Sequence, residues 1–159
     1  MLEYIQTNDS QHMELNLYIC GTEDCMPDHS YGPIVRDHCL IHYIHKGKGF
    51  FRINNKTYHL EKGQGFLICP NTLAYYQADH EEPWSYSWVG FNGFKAASYL
   101  KQANLSFDNP IFSCDKDNQL KDYVLEMISA QKRQNVSNCR GLGLLYMYLS
   151  LLIECAPEQ

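Results

Sequence analysis

Between residues 38 and 91, no apolar stretch outlasts a short strand before a turn signal interrupts it. Gly47-Lys48-Gly49, Asn54-Asn55-Lys56, the pair Gly63 and Gly65, Pro70-Asn71 and the "HEEP" segment divide this region into runs of four to eight residues. Gly supplies positive φ, Asn tolerates it, and Pro cannot donate to a ladder, so these places end strands rather than bend helices. The runs are residues 38–45, "FFRIN", "TYHL", "FLIC", "LAYYQAD" and "WSYSWVGF", with Asn54-Asn55 a tight hairpin. Upstream, "ELNLYIC" alternates Leu15, Leu17 and Ile19 on one face. "GTEDCMPDHSYGPIV", residues 21–35, reads as one long loop, and "MLEYIQTNDSQHM" as a polar, weakly structured arm. Closely spaced short strands of this kind predict a sandwich or small barrel.

Past Gly93 the period changes. "FKAASYLKQA" predicts a short helix and "NPIF" a connector. "NQLKDYVLEMISAQKRQ" places Leu120, Val124, Met127 and Ile128 on one stripe, the mark of an amphipathic helix. Ser137 or Asn138 is placed to cap a final helix, "CRGLGLLYMYLSLLIECA", which is apolar on nearly every side. The chain is therefore mainly β with a C-terminal α part. Residues 1–92 form an arm and barrel, and residues 93–159 a helical segment packed on it, in one structural domain overall.

A net charge of −5 argues against direct nucleic-acid binding by these residues. The seven cysteines are scattered and form no C-x-x-C pair, which points to reduced thiols rather than a disulfide framework or zinc site. The N-terminus lacks the basic and apolar regions of a secretion signal, and the run from Leu142 to Ile153 is too short to span a bilayer. The expected setting is cytoplasmic, without a membrane partner.

"GKGFFRINNKTYHLEKGQGFLICPNTLAYY" resembles the cupin-type β-barrel. Continued through "YQADHEEPWSYSWVGFNG", it is similar to the N-terminal effector domain of AraC/XylS-family transcription regulators of the sugar-operon type. The resemblance covers roughly Leu15 to Leu105, and the later helices more loosely. It implies a cupin-like double-stranded β-helix, or jelly-roll, followed by a short helix and an antiparallel helix pair. It also implies a small-molecule effector, often a sugar, and a homodimer formed through the helix pair. DNA would be bound only by a C-terminal helix-turn-helix domain that does not precede Gln159; an excised domain is preferred to a truncated relative. Leu142, Leu145, Tyr148, Leu149 and Leu152 are the candidate dimer residues, through an isologous two-fold contact. The alternative is a single helix buried inside the monomer.

The metal-binding cupin register falls here on Ile34, Arg36, Leu40 and Ala74, none of which is a good metal ligand, so neither metal nor cofactor is expected. His42 and His45, three apart on one strand, point to opposite faces. "WSYSWVGF" instead sets Trp84, Tyr86, Trp88 and Gly90 on one face, an aromatic wall of the kind that stacks on sugar C–H surfaces. In arabinose-type members of the family the effector meets an aromatic on the strand after the proline turn, then a His and a Trp on the next strand. Those places are Tyr76, Tyr86 and Trp88, with Tyr in place of the His. Arg36 is placed to fork onto hydroxyls or a carboxylate, and His38 and His42 share its strand parity. Trp84, at the strand start, either joins the wall or only closes the barrel end. The stripe also has an ordinary reading as core. The leading function is a ligand-sensing and dimerising, non-enzymatic domain. The competing ones are a small cupin enzyme (isomerase or oxygenase) and a non-catalytic carbohydrate-binding module.

Overall fold

Asn54 and Asn55 both adopt positive φ, 50° and 61°, and this two-residue turn joins β5 (Lys48–Ile53) to β6 (Lys56–Glu61). Gly47 (φ 73°) turns β4 (Cys39–Lys46) into β5; a Cβ there would lie 2.4 Å from the Pro83 carbonyl oxygen. Such turns fold the strands into two antiparallel sheets in the computed structural model, which describes residues 1–7, 13–133 and 138–158. With β1 (Leu2–Gln6), β2 (Asn16–Asp24), β7 (Gln64–Ile68), β9 (Ser85–Asn92) and β10 (Ile111–Ser113), β4 makes a six-stranded sheet in the order β1-β2-β9-β4-β7-β10. The other sheet runs β3-β8-β5-β6, with β3 (Ser30–Ile34) at its edge and β8 (Ala74–Ala78) beside it. This is the jelly-roll barrel that the turn pattern and the resemblance predict.

The inner strands β4 and β9 of the six-stranded sheet are buried on both faces. Leu40 and Ile44 of β4 and Tyr86 of β9 pack toward the four-stranded sheet, with Phe51, Phe66 and Tyr76. Their neighbours Ile41, Tyr43, Val89 and Phe91 pack on the helices α1 (Ala96–Gln102), α2 (Gln119–Lys132) and α3 (Asn138–Cys155). The stripe Leu120, Val124, Met127 and Ile128 of α2 joins this second core as predicted. Tyr146 of α3 donates to the Glu14 carboxylate, and Lys95 reaches the same group at 3.2 Å. No helix among the described residues is long and apolar enough to cross a membrane.

Several expectations need correction. Residues 21–35 are not one loop: β2 continues to Asp24, and β3 follows after a short turn. Gly32 and Pro33 disguise β3, and an edge strand is where a proline is tolerated. Residues 2–6 of the arm form a strand, since β1 pairs residue by residue with β2 from Leu2↔Glu23 to Gln6↔Ile19; residues 8–12 lie outside the described residues. The "NPIF" connector runs into β10, which pairs with β7 and so carries the chain back into the barrel after α1. Two of the seven cysteines are not free thiols: Cys114 and Cys155 form a disulfide with Cα atoms 5.4 Å apart. Of the two proposed cap residues, Ser137 lies outside the described residues and Asn138 is the first residue of α3.

The candidate dimer residues also face elsewhere. Leu145, Tyr148, Leu149 and Leu152 are buried in the core between sheet and helices, and Leu142 packs half-buried against it. The helix finds both its apolar partners inside the monomer, barrel on one side and neighbouring helices on the other, so its periodicity carries no separate signal for a partner chain. Met147, 52% exposed, lies on its outer face. Leu145→Ala and Leu149→Ala are each expected to lower stability by about 2–5 kcal/mol in urea unfolding, as core truncations do. Met147→Ala should change it by less than about 0.5 kcal/mol.

Candidate functional site

A cavity of about 280 Å³ opens between the two sheets. Register builds most of its wall. His42 on β4 stands opposite Trp88 on β9 and opposite Phe66 on β7. Tyr76 on β8 stands opposite Tyr31 on β3 and Phe51 on β5. The His42 ring stacks on Phe66 (4.6 Å between centroids), is tilted against Tyr76 (4.8 Å), and meets Tyr86 nearly edge-on (4.8 Å). Tyr86 in turn meets Trp88 at 90°. Gly21 faces Trp88 across the β2–β9 pair, and a Cβ there would lie 2.4 Å from both the indole and the Glu3 carbonyl oxygen.

Arg36, His42, Tyr76, Tyr86 and Trp88, all inferred from sequence, are brought together as lining residues. His38 and Trp84 are not among them. Trp84 is fully buried and packs between Phe66 and Tyr86, each 5.9 Å away, closing the core. His38 precedes the start of β4, so strand parity does not apply to it; it lies 3.1 Å from Asp37 and packs on Tyr18. Five lining residues escaped sequence analysis: Leu2, Tyr4, Ile19, Tyr31 and Leu40. Leu2 and Tyr4 alternate in "LEYIQ", a period-2 signal too short to stand out in a polar arm. Tyr31 sits on the strand that Pro33 disguises.

The floor is buried and the rim is open. His42, Tyr76 and Tyr86 are inaccessible, Trp88 and Tyr31 are half-buried, and Leu2 and Tyr4 are 46% and 56% exposed. Burial, reinforced by the nearby Arg36 charge, pushes the His42 imidazole down to about 3. Burial pushes the Tyr31 phenol up to about 12, with the Glu23 carboxylate adding to it. It also raises Tyr76 and Tyr86, with Arg36 opposing the rise at Tyr76. At neutral pH the phenols are thus protonated, His42 is neutral, and Arg36 is the single charge among the described lining residues. Arg36 Nε and His42 Nδ1 are buried with no hydrogen-bond partner among the described residues. An apolar, aromatic cavity with a few such polar atoms is built to hold and orient a small organic molecule. Of the four cupin-register places, Arg36 and Leu40 line the cavity, and none of the four offers carboxylate, thiolate or imidazole.

The family described as the AraC-like ligand binding domain matches residues 16–149. The Msm operon regulatory protein of Streptococcus mutans is 35% identical over 94% of this chain and 54% of its own length. The lactose operon transcription activator of Staphylococcus xylosus is 28% identical over 92% of this chain and 52% of its own. The raffinose operon transcriptional regulatory protein RafR of Pediococcus pentosaceus is 39% identical over 55% of this chain and 32% of its own. This chain therefore spans about half the length of the relatives that it matches most fully. Among solved structures, the AraC-like transcriptional activator CuxR aligns over 99% of this chain and 64% of its own (TM-score 0.52, 13% identity), a likeness of fold alone. With the family matched over most of its length and a relative this similar across nearly all of it, the chain belongs to the AraC-like ligand binding domain family.

Proposed function

We propose that the chain is the effector-sensing part of a cytoplasmic transcription regulator for a sugar-utilisation operon, and that the cavity binds a mono- or oligosaccharide. The observation that carries this reading is the pairing of a half-exposed Trp88 with the unpartnered Arg36 Nε and His42 Nδ1 in one cavity. An indole face suits sugar C–H surfaces, and the two nitrogens suit hydroxyls. The relatives' names support control of sugar operons and a non-catalytic role. DNA contact belongs to another part of the regulator. If the domain dimerises, the contact falls to the outer faces of α2 and α3, which carry Leu125 and Met147, because the five residues inferred from periodicity face the core.

The test is thermal unfolding against a panel of mono- and oligosaccharides that includes raffinose and lactose. A true effector at about a hundred times its Kd adds roughly 2.7 kcal/mol, a midpoint rise of about 5–10 °C for a domain of this size. Trp88→Ala and Arg36→Ala should each remove most of that rise. A panel with no selective rise would overturn the sugar assignment.

The placement of Leu2 and Tyr4 on the cavity supports β1 as a lid that the effector stabilises, since only a ligand with different affinity for the two lid states shifts them. Tyr4→Ala should weaken effector binding by about threefold to tenfold in calorimetry. Because Tyr4 is exposed, the same change should alter stability by less than about 0.5 kcal/mol.

His42 provides a separate pH test. Well above pH 6.5 it is neutral in both folded and unfolded chains and contributes no pH dependence. Between 6.5 and about 3 the unfolded chain takes up a proton that the folded one refuses, so stability falls with pH by up to about 1.4 kcal/mol per unit. His45, pushed down to about 4 mainly by burial, acts in the same direction. His42→Gln should remove about one proton from the unfolding linkage measured between pH 4 and 6. Effector affinity of the unaltered domain should stay flat from pH 6 to 8.

A further inference from the structure

Beside the cavity, the end of β2 and the turn into β3 gather three metal-ligating side chains of different chemistry. Glu23 and Cys25 are two apart on extended backbone, which puts them on one side of the chain. The turn then folds back: the His29 amide donates to the Met26 carbonyl at 3.1 Å, and Asp28 takes φ 63°. Asp28 is held from outside by His80, 2.6 Å away. The fold-back returns His29 to the other two, and one ligand atom from each of Glu23, Cys25 and His29 lies within 4.8 Å of the others.

We propose that Glu23, Cys25 and His29 form a binding site for a borderline-soft divalent ion of the zinc type, outside the cupin metal register. The set is one carboxylate, one thiol and one imidazole, three protein ligands that leave a fourth tetrahedral position for water or another donor. His29 Nε2 stands 3.6 Å from Glu23 Oε1, too far for a good hydrogen bond. Two ligands each about 2.1 Å from a tetrahedral ion lie about 3.4 Å apart, close to that separation. His29 Nε2 is also buried without a hydrogen-bond partner among the described residues, and Cys25 is a free thiol. Closing the widest separation onto an ion takes movement of about 1 Å, within reach of side-chain rotation. Binding releases the Cys25 thiol proton to solvent as the sulfur becomes a metal-bound thiolate. The site adjoins the cavity wall: Tyr31 donates its hydroxyl hydrogen to Glu23 at 3.1 Å, and Cys25 belongs to the same core cluster as Tyr86. The proposal does not depend on a sugar effector, and a flat sugar panel would leave it standing.

The test is an anaerobic titration of the metal-stripped protein with Co²⁺, followed by Zn²⁺ competition. The expected result is a thiolate-to-cobalt charge-transfer band with tetrahedral ligand-field absorption, saturating near one equivalent and displaced by Zn²⁺. Cys25→Ser should abolish the charge-transfer band. His29→Gln, on the turn, should weaken Co²⁺ binding by about tenfold or more. Cys139→Ser, which removes an exposed thiol, should change neither. Near-ultraviolet circular dichroism checks that each variant folds, and His29→Gln decides the matter if Cys25→Ser does not fold. The proposal is overturned by the absence of a charge-transfer band in the unaltered protein, by full-strength binding in folded His29→Gln, or by a band that Cys139→Ser removes.

Discussion

A pair of strands that must bury both of their faces governs this structure. β4 and β9 lie inside the six-stranded sheet, and alternate residues on each serve two different cores. On one side they need helices, which the chain supplies from Ala96 onward. On the other they need a second sheet, and the two sheets together enclose the cavity. A one-residue slip of β9 would send Tyr86 and Trp88 into the helices and Val89 and Phe91 into the barrel, so the register that stabilises the domain also fixes the site.

The cavity's chemistry follows from its buried floor. Burial, with the Arg36 charge adding to it at His42, keeps His42 uncharged and the buried phenols protonated, which leaves Arg36 to carry charge at a half-buried position. Its guanidinium is close enough to oppose the rise at Tyr76, and its half-buried position leaves part of the charge to solvent. A pocket with neutral walls and one fixed cation discriminates by shape and hydroxyl placement more than by net ligand charge.

Much of this was legible in the chain. Glycine, asparagine and proline mark nearly every hairpin, and the change of period near residue 92 marks where helices take over. Period-2 alternation in "WSYSWVGF" set Tyr86 and Trp88 on the barrel side, where the structure has them. Illegible parts share one cause, dependence on a distant partner. β3 is a strand because β8 offers it an edge despite Pro33, and β10 because β7 does; neither short segment carries its own signal. His38 followed the parity of a strand that had not yet begun. The apolar surround of α3 pointed to its burial but could not say that the barrel, α1 and α2 would cover most of it within one chain, leaving Met147 exposed.

Gly21 makes no side-chain contact with anything bound in the cavity, yet it sets how far back the Trp88 indole can rest. β1, β2 and β9 lie side by side here, and Gly21 on the middle strand leaves room for the indole next to the β1 backbone. Any methyl group inserted at that residue has to displace either the β1 backbone or the ring. The bore of the pocket is consequently encoded behind its lining, and a change in the size of molecule admitted can arise at a residue that no ligand touches.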